Sequence, residues 1–167
     1  GLEQLLEAMP SLEGYHLAAV GPIQNTIEIE LSELANQYGV LDRFHIMGKV
    51  SPQELGSYIS SADLSVLPIQ NACLSYYHCL PNKLFESMFA GVPVVASNFP
   101  DMKEIIDEWE VGEVFDEKDP ASIASSIKKV YNNRDKYYDQ TKISTIHKEL
   151  CFENESKVLV ELYEGLA

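Results

Sequence analysis

Apolar positions along the chain fall into two alternating rhythms, short unbroken runs and stripes at helical spacing. Leu2, Leu5, Leu6 and Met9 form the first stripe, which ends at Pro10 and predicts a short amphipathic helix. The run Tyr15 to Val20 closes on Gly21-Pro22 and reads as a buried strand and turn. Ile27, Leu31, Leu34, Ala35 and Tyr38 then share one stripe, with Gly39 as its stop signal. The alternation repeats. Arg43 to Met47 ends in Gly48, Ser51-Pro52 opens a helix with Pro at its first position, and Leu64 to Leu67 ends in Pro68. After a loop come a helix from Pro81 to Ala90 stopped by Gly91, a strand from Val92 to Ser97, a short helix near Asp101 to Asp107, and a strand from Gly112 to Phe115. Helical patterns fill most of the rest to Ala167. Short apolar strands alternating with helices call for parallel pairing with helices on both sheet faces. The pattern therefore predicts an α/β chain, a Rossmann-like parallel sheet with a helical C-terminal tail.

At 167 residues, 46% hydrophobic and 23% charged, the chain is long enough to close one core without staples, so a single domain over residues 1–167 is expected. Asp and Glu number 26 against 12 Lys and Arg, a formal net charge of −14. That surplus repels a polyphosphate backbone and argues against nucleic acid as a partner. The longest apolar runs, such as Val92 to Ala96, fall far short of the roughly 20 residues of a membrane span. Cys73, Cys79 and Cys151 make no disulfide framework and fit a reducing, cytoplasmic setting. The first residue is Gly1 and the opening segment lacks the zones of a signal peptide, so a chain trimmed at its N-terminus is expected.

In open parallel sheets ligands bind beyond the carboxyl ends of the strands. Among those places the loop Ile69 to Leu80 is longer than a structural connection requires and runs directly into the helix at Pro81. With Pro81 at the first helical position, the amides of Asn82, Lys83 and Leu84 are free to face an anion in the positive field of the helix start. Lys83 adds a cation in the same turn. Leu84, Phe85, Met88 and Phe89 make the apolar stripe, which leaves Glu86 on a flank near the mouth. A carboxylate there either accepts from two adjacent hydroxyls, such as a ribose presents, or only complements the helix dipole. Cys73, His78 and Cys79 lack the second cysteine pair of a zinc site.

RFHIMGKV at 43–50, SPQELGSYISSADLSVL at 51–67, LPNKLFESMFAGVPVVAS at 80–97 and EIIDEWEVGEV at 104–114 follow one another in an order of motifs that is specific as a set. The set resembles the C-terminal, nucleotide-sugar-binding domain of GT-B-fold retaining glycosyltransferases of family 4, over roughly residues 1 to 135. In that family two glutamates separated by seven residues flank the start of this helix. The second falls on Glu86, and the resemblance implies that it binds the ribose hydroxyls of the donor nucleotide. The first falls on His78, a departure that makes an imidazole the candidate catalytic contact to the transferred sugar. The family's Gly-rich step is Leu80-Pro81-Asn82 here, so the amides of Asn82 and Lys83 are implied to meet the diphosphate. Gly48-Lys49-Val50 resembles the base-binding wall, and Gly21 matches a glycine that lets the donor approach closely.

The resemblance further implies that the family's donor-phosphate Arg and Lys, a first strand and the acceptor-binding N-terminal domain would all precede Gly1. The expected function is donor binding within a retaining transferase that builds polysaccharide or glycolipid. Its donor is a nucleotide-diphosphate sugar and no metal cofactor is expected. The acceptor would come through the other domain, and the full-length enzyme would sit in the cytoplasm or peripherally at the inner membrane face. The alternatives are a catalytically silent Rossmann-like binding domain and a GT-B-fold sugar-nucleotide epimerase.

Overall fold

A computed structural model describes residues 1–165. The order of elements is α1 (Leu2–Ala8), β1 (Leu17–Val20), α2 (Asn25–Gln37), β2 (Phe44–Gly48), α3 (Pro52–Ser60), β3 (Ser65–Leu67) and α4 (Leu74–Tyr77). Then come α5 (Asn82–Phe89), β4 (Val94–Ser97), α6 (Pro100–Trp109), β5 (Gly112–Phe115), α7 (Pro120–Asn132), α8 (Gln140–Glu149) and α9 (Phe152–Glu164). Positions 166 and 167 of the expected helical tail lie outside the described residues. Among the described residues no helix is long and apolar enough to cross a membrane.

All strand pairs are parallel, as the alternation predicts. They form two pieces rather than one sheet: β1 pairs with β2, and β3, β4 and β5 pair in that order. β4 lies in the middle of the larger piece and all four of its residues are buried. Because successive strand residues face opposite ways, Val95 joins a core with α1, α2 and α7, whereas Val94 and Ala96 join a second core with α5, α6 and α8. Helices thus cover both faces. β1 and β2 contribute Leu17, Ala19, Phe44 and Ile46 to the first core, beside Leu64 and Val66 at β3, which ties the two sheet pieces together. At Gly112 a Cβ would lie 1.8 Å from the carbonyl oxygen of Val94, so the register of β4 against β5 depends on a residue without a side chain.

Four expectations are corrected. The run Tyr15 to Val20, expected as a buried strand, forms a strand only at Leu17–Val20, whose residues alternate between half-buried and exposed, because one face of β1 is left uncovered. Pro81 is the N-cap of α5, extended at φ −74° and ψ 143°, and Asn82 is the first helical residue. The Pro81 carbonyl accepts from the Leu84 amide at 3.0 Å, so Leu84 does not keep the free N–H that the sequence assigned to it. The stretch 69–80 is not all loop, because Leu74–Tyr77 closes one helical turn there. Finally, Ile27 is exposed although it shares the stripe of Leu31 and Ala35, since α2 meets the core only from its second turn onward.

One polar contact outside the helices holds the early chain. The Arg43 guanidinium donates through Nη1 to the carbonyls of Leu12 at 2.6 Å and Tyr15 at 3.3 Å, joining the start of β2 to the segment ahead of β1. Arg43→Ala strands those acceptors and is expected to lower stability by about 1.5–3 kcal/mol, read as a reduced urea midpoint at unchanged slope.

Candidate functional site

The carboxyl ends of β1 and β2 meet at two glycines. The Gly21 amide donates to the Gly48 carbonyl at 2.8 Å, and Gly48 holds φ +69°, a conformation that glycine adopts without a Cβ penalty. No atom lies within 4 Å of where a Cβ would stand at either residue, so the backbone there is open on its outer side. Lys49 follows, exposed, and then Ser51 caps α3, its amide and hydroxyl both donating to the Glu54 carboxylate at 3.2 and 2.6 Å. Those bonds hold the Glu54 carboxyl below the usual range, the Ser51 hydroxyl contributing most.

A cavity of about 420 Å³ opens between α3 and α5, lined by Pro52, Leu55, Ile59, Glu86 and Phe89 among others. Glu86 is half-buried in its wall, one turn into α5, and Pro52 directly follows the segment Gly48 to Ser51. Of the residues expected at the site, Glu86 lies on this cavity's wall, and Gly48 to Ser51 precede its lining residue Pro52 in the chain. At the start of α5, Leu84 and Met88 are fully buried and fix the helix, while Asn82 and Lys83 are exposed. Among the described residues neither the Asn82 nor the Lys83 amide has a backbone acceptor, and neither Lys83 nor Lys49 is in an ion pair. Two free N–H groups and a free ammonium at a helix start make an environment suited to an anion. Leu80 is exposed just ahead of them.

His78 is not among the residues that line this cavity. It follows α4, and its Nδ1 lies 2.9 Å from Oδ2 of Asp101 in the first turn of α6. Tyr77 stands edge-on to the imidazole, with ring centroids 5.0 Å apart, and packs its other side on Phe99, the N-cap of α6. The neighbouring Cys79 thiol is pushed up by burial and, less strongly, by the Asp101 charge. Glu86 thus faces α3, whereas His78 is engaged with α6. Asp101 is the residue to which the sequence pattern gives no role: it opens the short helix predicted after the fourth strand, and an acid in a first helical turn is ordinary.

The family model described as "Glycosyl transferases group 1" matches residues 1–146. The D-inositol 3-phosphate glycosyltransferase of Corynebacterium urealyticum is 26% identical over 165 residues, 97% of this chain and 38% of that protein. The GDP-mannose-dependent alpha-(1-6)-phosphatidylinositol monomannoside mannosyltransferase of Mycobacterium tuberculosis is 28% identical over 143 residues, 81% of this chain and 36% of that protein. Among solved structures, sucrose-phosphate synthase from Thermosynechococcus elongatus superposes with TM-score 0.84 at 22% identity, covering 99% of this chain and 42% of the other. Anabaena HepE in complex with UDP gives 0.83 at 15% identity, covering 99% and 45%. At such identities the structures establish the fold, and the chain spans about two fifths of the length of the curated relatives it matches. With the family model matching most of its length, the chain belongs to the group 1 glycosyl transferases.

Proposed function

We propose that this chain is the donor-binding half of a retaining, sugar-nucleotide-dependent glycosyltransferase that extends a polysaccharide or glycolipid. The observation that carries the reading is the start of α5, where two amides and the Lys83 ammonium, without partners among the described residues, stand one turn ahead of Glu86 on a cavity wall. The diphosphate of the donor meets the Asn82 and Lys83 amides, Glu86 accepts from the ribose, and the base lies along Gly48 and Lys49. Charge that develops on the leaving diphosphate is then stabilised by groups already oriented before the reaction. The acceptor hydroxyl attacks from the face the diphosphate leaves, and it is delivered by a second domain outside this chain, so the chain alone binds donor without turning over. Support comes from the glycosyltransferase family match and from neighbours of this fold described in complex with UDP.

The test is an amide-shift titration with UDP, GDP and ADP and with UDP-glucose, GDP-mannose and ADP-glucose. One base is expected to move the Asn82 and Lys83 amides together with Glu86, at lower concentration than the other two. If none moves them at millimolar concentration, the donor-site reading is wrong and the silent-domain alternative takes its place.

A further inference from the structure

The His78–Asp101 pair does something that neither residue does alone. A neutral imidazole has one donor and one acceptor nitrogen, and a hydrogen bond to one nitrogen decides the role of the other. The Asp101 carboxylate accepts from Nδ1–H at 2.9 Å, which leaves Nε2 as the acceptor. The ring is also fixed in orientation, because Tyr77 stands against it edge-on and is itself backed by the fully buried Phe99. A ring held on two sides, with about half of its side-chain surface open, is prepared to receive one hydroxyl donor.

We infer that Asp101 is a positioning residue that sets His78 as a hydroxyl acceptor for the sugar portion of the donor. This rests on the donor-binding reading above. It goes beyond that reading in giving Asp101 a role. A glutamate at position 78 would be an acceptor without help from a neighbour. A histidine there becomes a defined acceptor only when a second residue occupies its other nitrogen, and Asp101 is that residue.

The experiment uses the full-length protein and compares affinities for a nucleoside diphosphate and the corresponding nucleotide sugar, drawn from the same panel of UDP, GDP, ADP and their glucose or mannose derivatives. Asp101→Ala is expected to weaken the nucleotide sugar about fivefold while leaving the bare diphosphate within about twofold, the loss typical of one uncharged hydrogen bond. Asp101→Asn keeps an oxygen that accepts from Nδ1–H and is expected to restore most of the loss. His78→Ala is expected to match Asp101→Ala, and the double variant to lose no more than either single one, as for residues acting as a unit. Imidazole nitrogen shifts of His78 supply a readout that a merely structural role would not move: Nδ1-protonated in the parent and in Asp101→Asn, and mixed in Asp101→Ala. Equal losses for diphosphate and nucleotide sugar, or an unchanged imidazole signature in Asp101→Ala, overturn the inference while leaving donor binding intact. Failure of every nucleotide to bind the parent protein overturns the donor-site reading itself, and this inference with it.

Discussion

Phe99→Ala is expected to cost about 3–5 kcal/mol of folding stability, the range for deleting a fully buried aromatic ring. Phe99 is 1% exposed and stands where β4 hands over to α6. Its amide donates to the Ser97 carbonyl at 2.7 Å and its carbonyl accepts from the Lys103 amide at 2.8 Å, so the backbone at this corner is already committed. With Met102, Ile106 and the strand residues Val94 and Ala96 fully buried around the second core, little of the vacated volume can be refilled by collapse. For a domain of this size each kcal/mol corresponds to about 2–4 °C, so the melting temperature is expected to fall by roughly 6–20 °C. Phe99→Leu, which keeps much of the volume, is expected to lose less than half as much. The functional consequence is local as well, since Tyr77 rests on Phe99 and His78 rests on Tyr77. A loss under about 1 kcal/mol would show that the start of α6 repacks freely, and the orientation argued for His78 would then lose its support.

The order and type of the strands and of most helices were legible because the strands are short, mostly apolar runs punctuated by Gly or Pro, and the longer helices carry their own stripes. What the pattern could not carry is pairing. Which strand edges are hydrogen-bonded is a matter of tertiary geometry, and β1 and β2 stay unpaired with β3, β4 and β5. Pro81 shows a finer limit. Proline at a helix start suits both the N-cap and the first helical position, and only ψ distinguishes them; at 143° it falls on the cap side and removes Leu84 from the free amides. The turn at Leu74–Tyr77 escaped notice because four residues are too few to show a period. At the site, Glu86 and the α5 amides are adjacent in sequence and could be placed together from one helix alone. Asp101 is 23 residues from His78, and no local signal links an acid in one helix to an imidazole ahead of another.

Glu86→Ala is expected to weaken nucleotide binding by roughly 10- to 100-fold, because a carboxylate that accepts two hydrogen bonds from one diol contributes about 1.5–3 kcal/mol. Folding stability is expected to change little, since Glu86 lies half-buried on a helix flank and its carboxylate has no hydrogen-bond partner among the described residues. The competing account, in which Glu86 only complements the dipole of α5, makes a different forecast. A carboxylate in the second turn contributes at most a few tenths of a kcal/mol to the helix, and its removal would leave affinity nearly untouched or improve it by relieving repulsion of the diphosphate. A cycle with the 2′-deoxy and 3′-deoxy forms of the bound nucleotide separates the two. If Glu86 bonds the ribose, each deoxy form binds the parent several times more weakly than the parent nucleotide, and this penalty shrinks toward nothing in Glu86→Ala because the partner is already gone. Glu86→Gln, which keeps one carbonyl oxygen and loses the charge, should fall between them. If the deoxy penalty is the same in parent and variant, Glu86 does not touch the ribose, whatever its effect on affinity, and the cavity between α3 and α5 is not the nucleoside site.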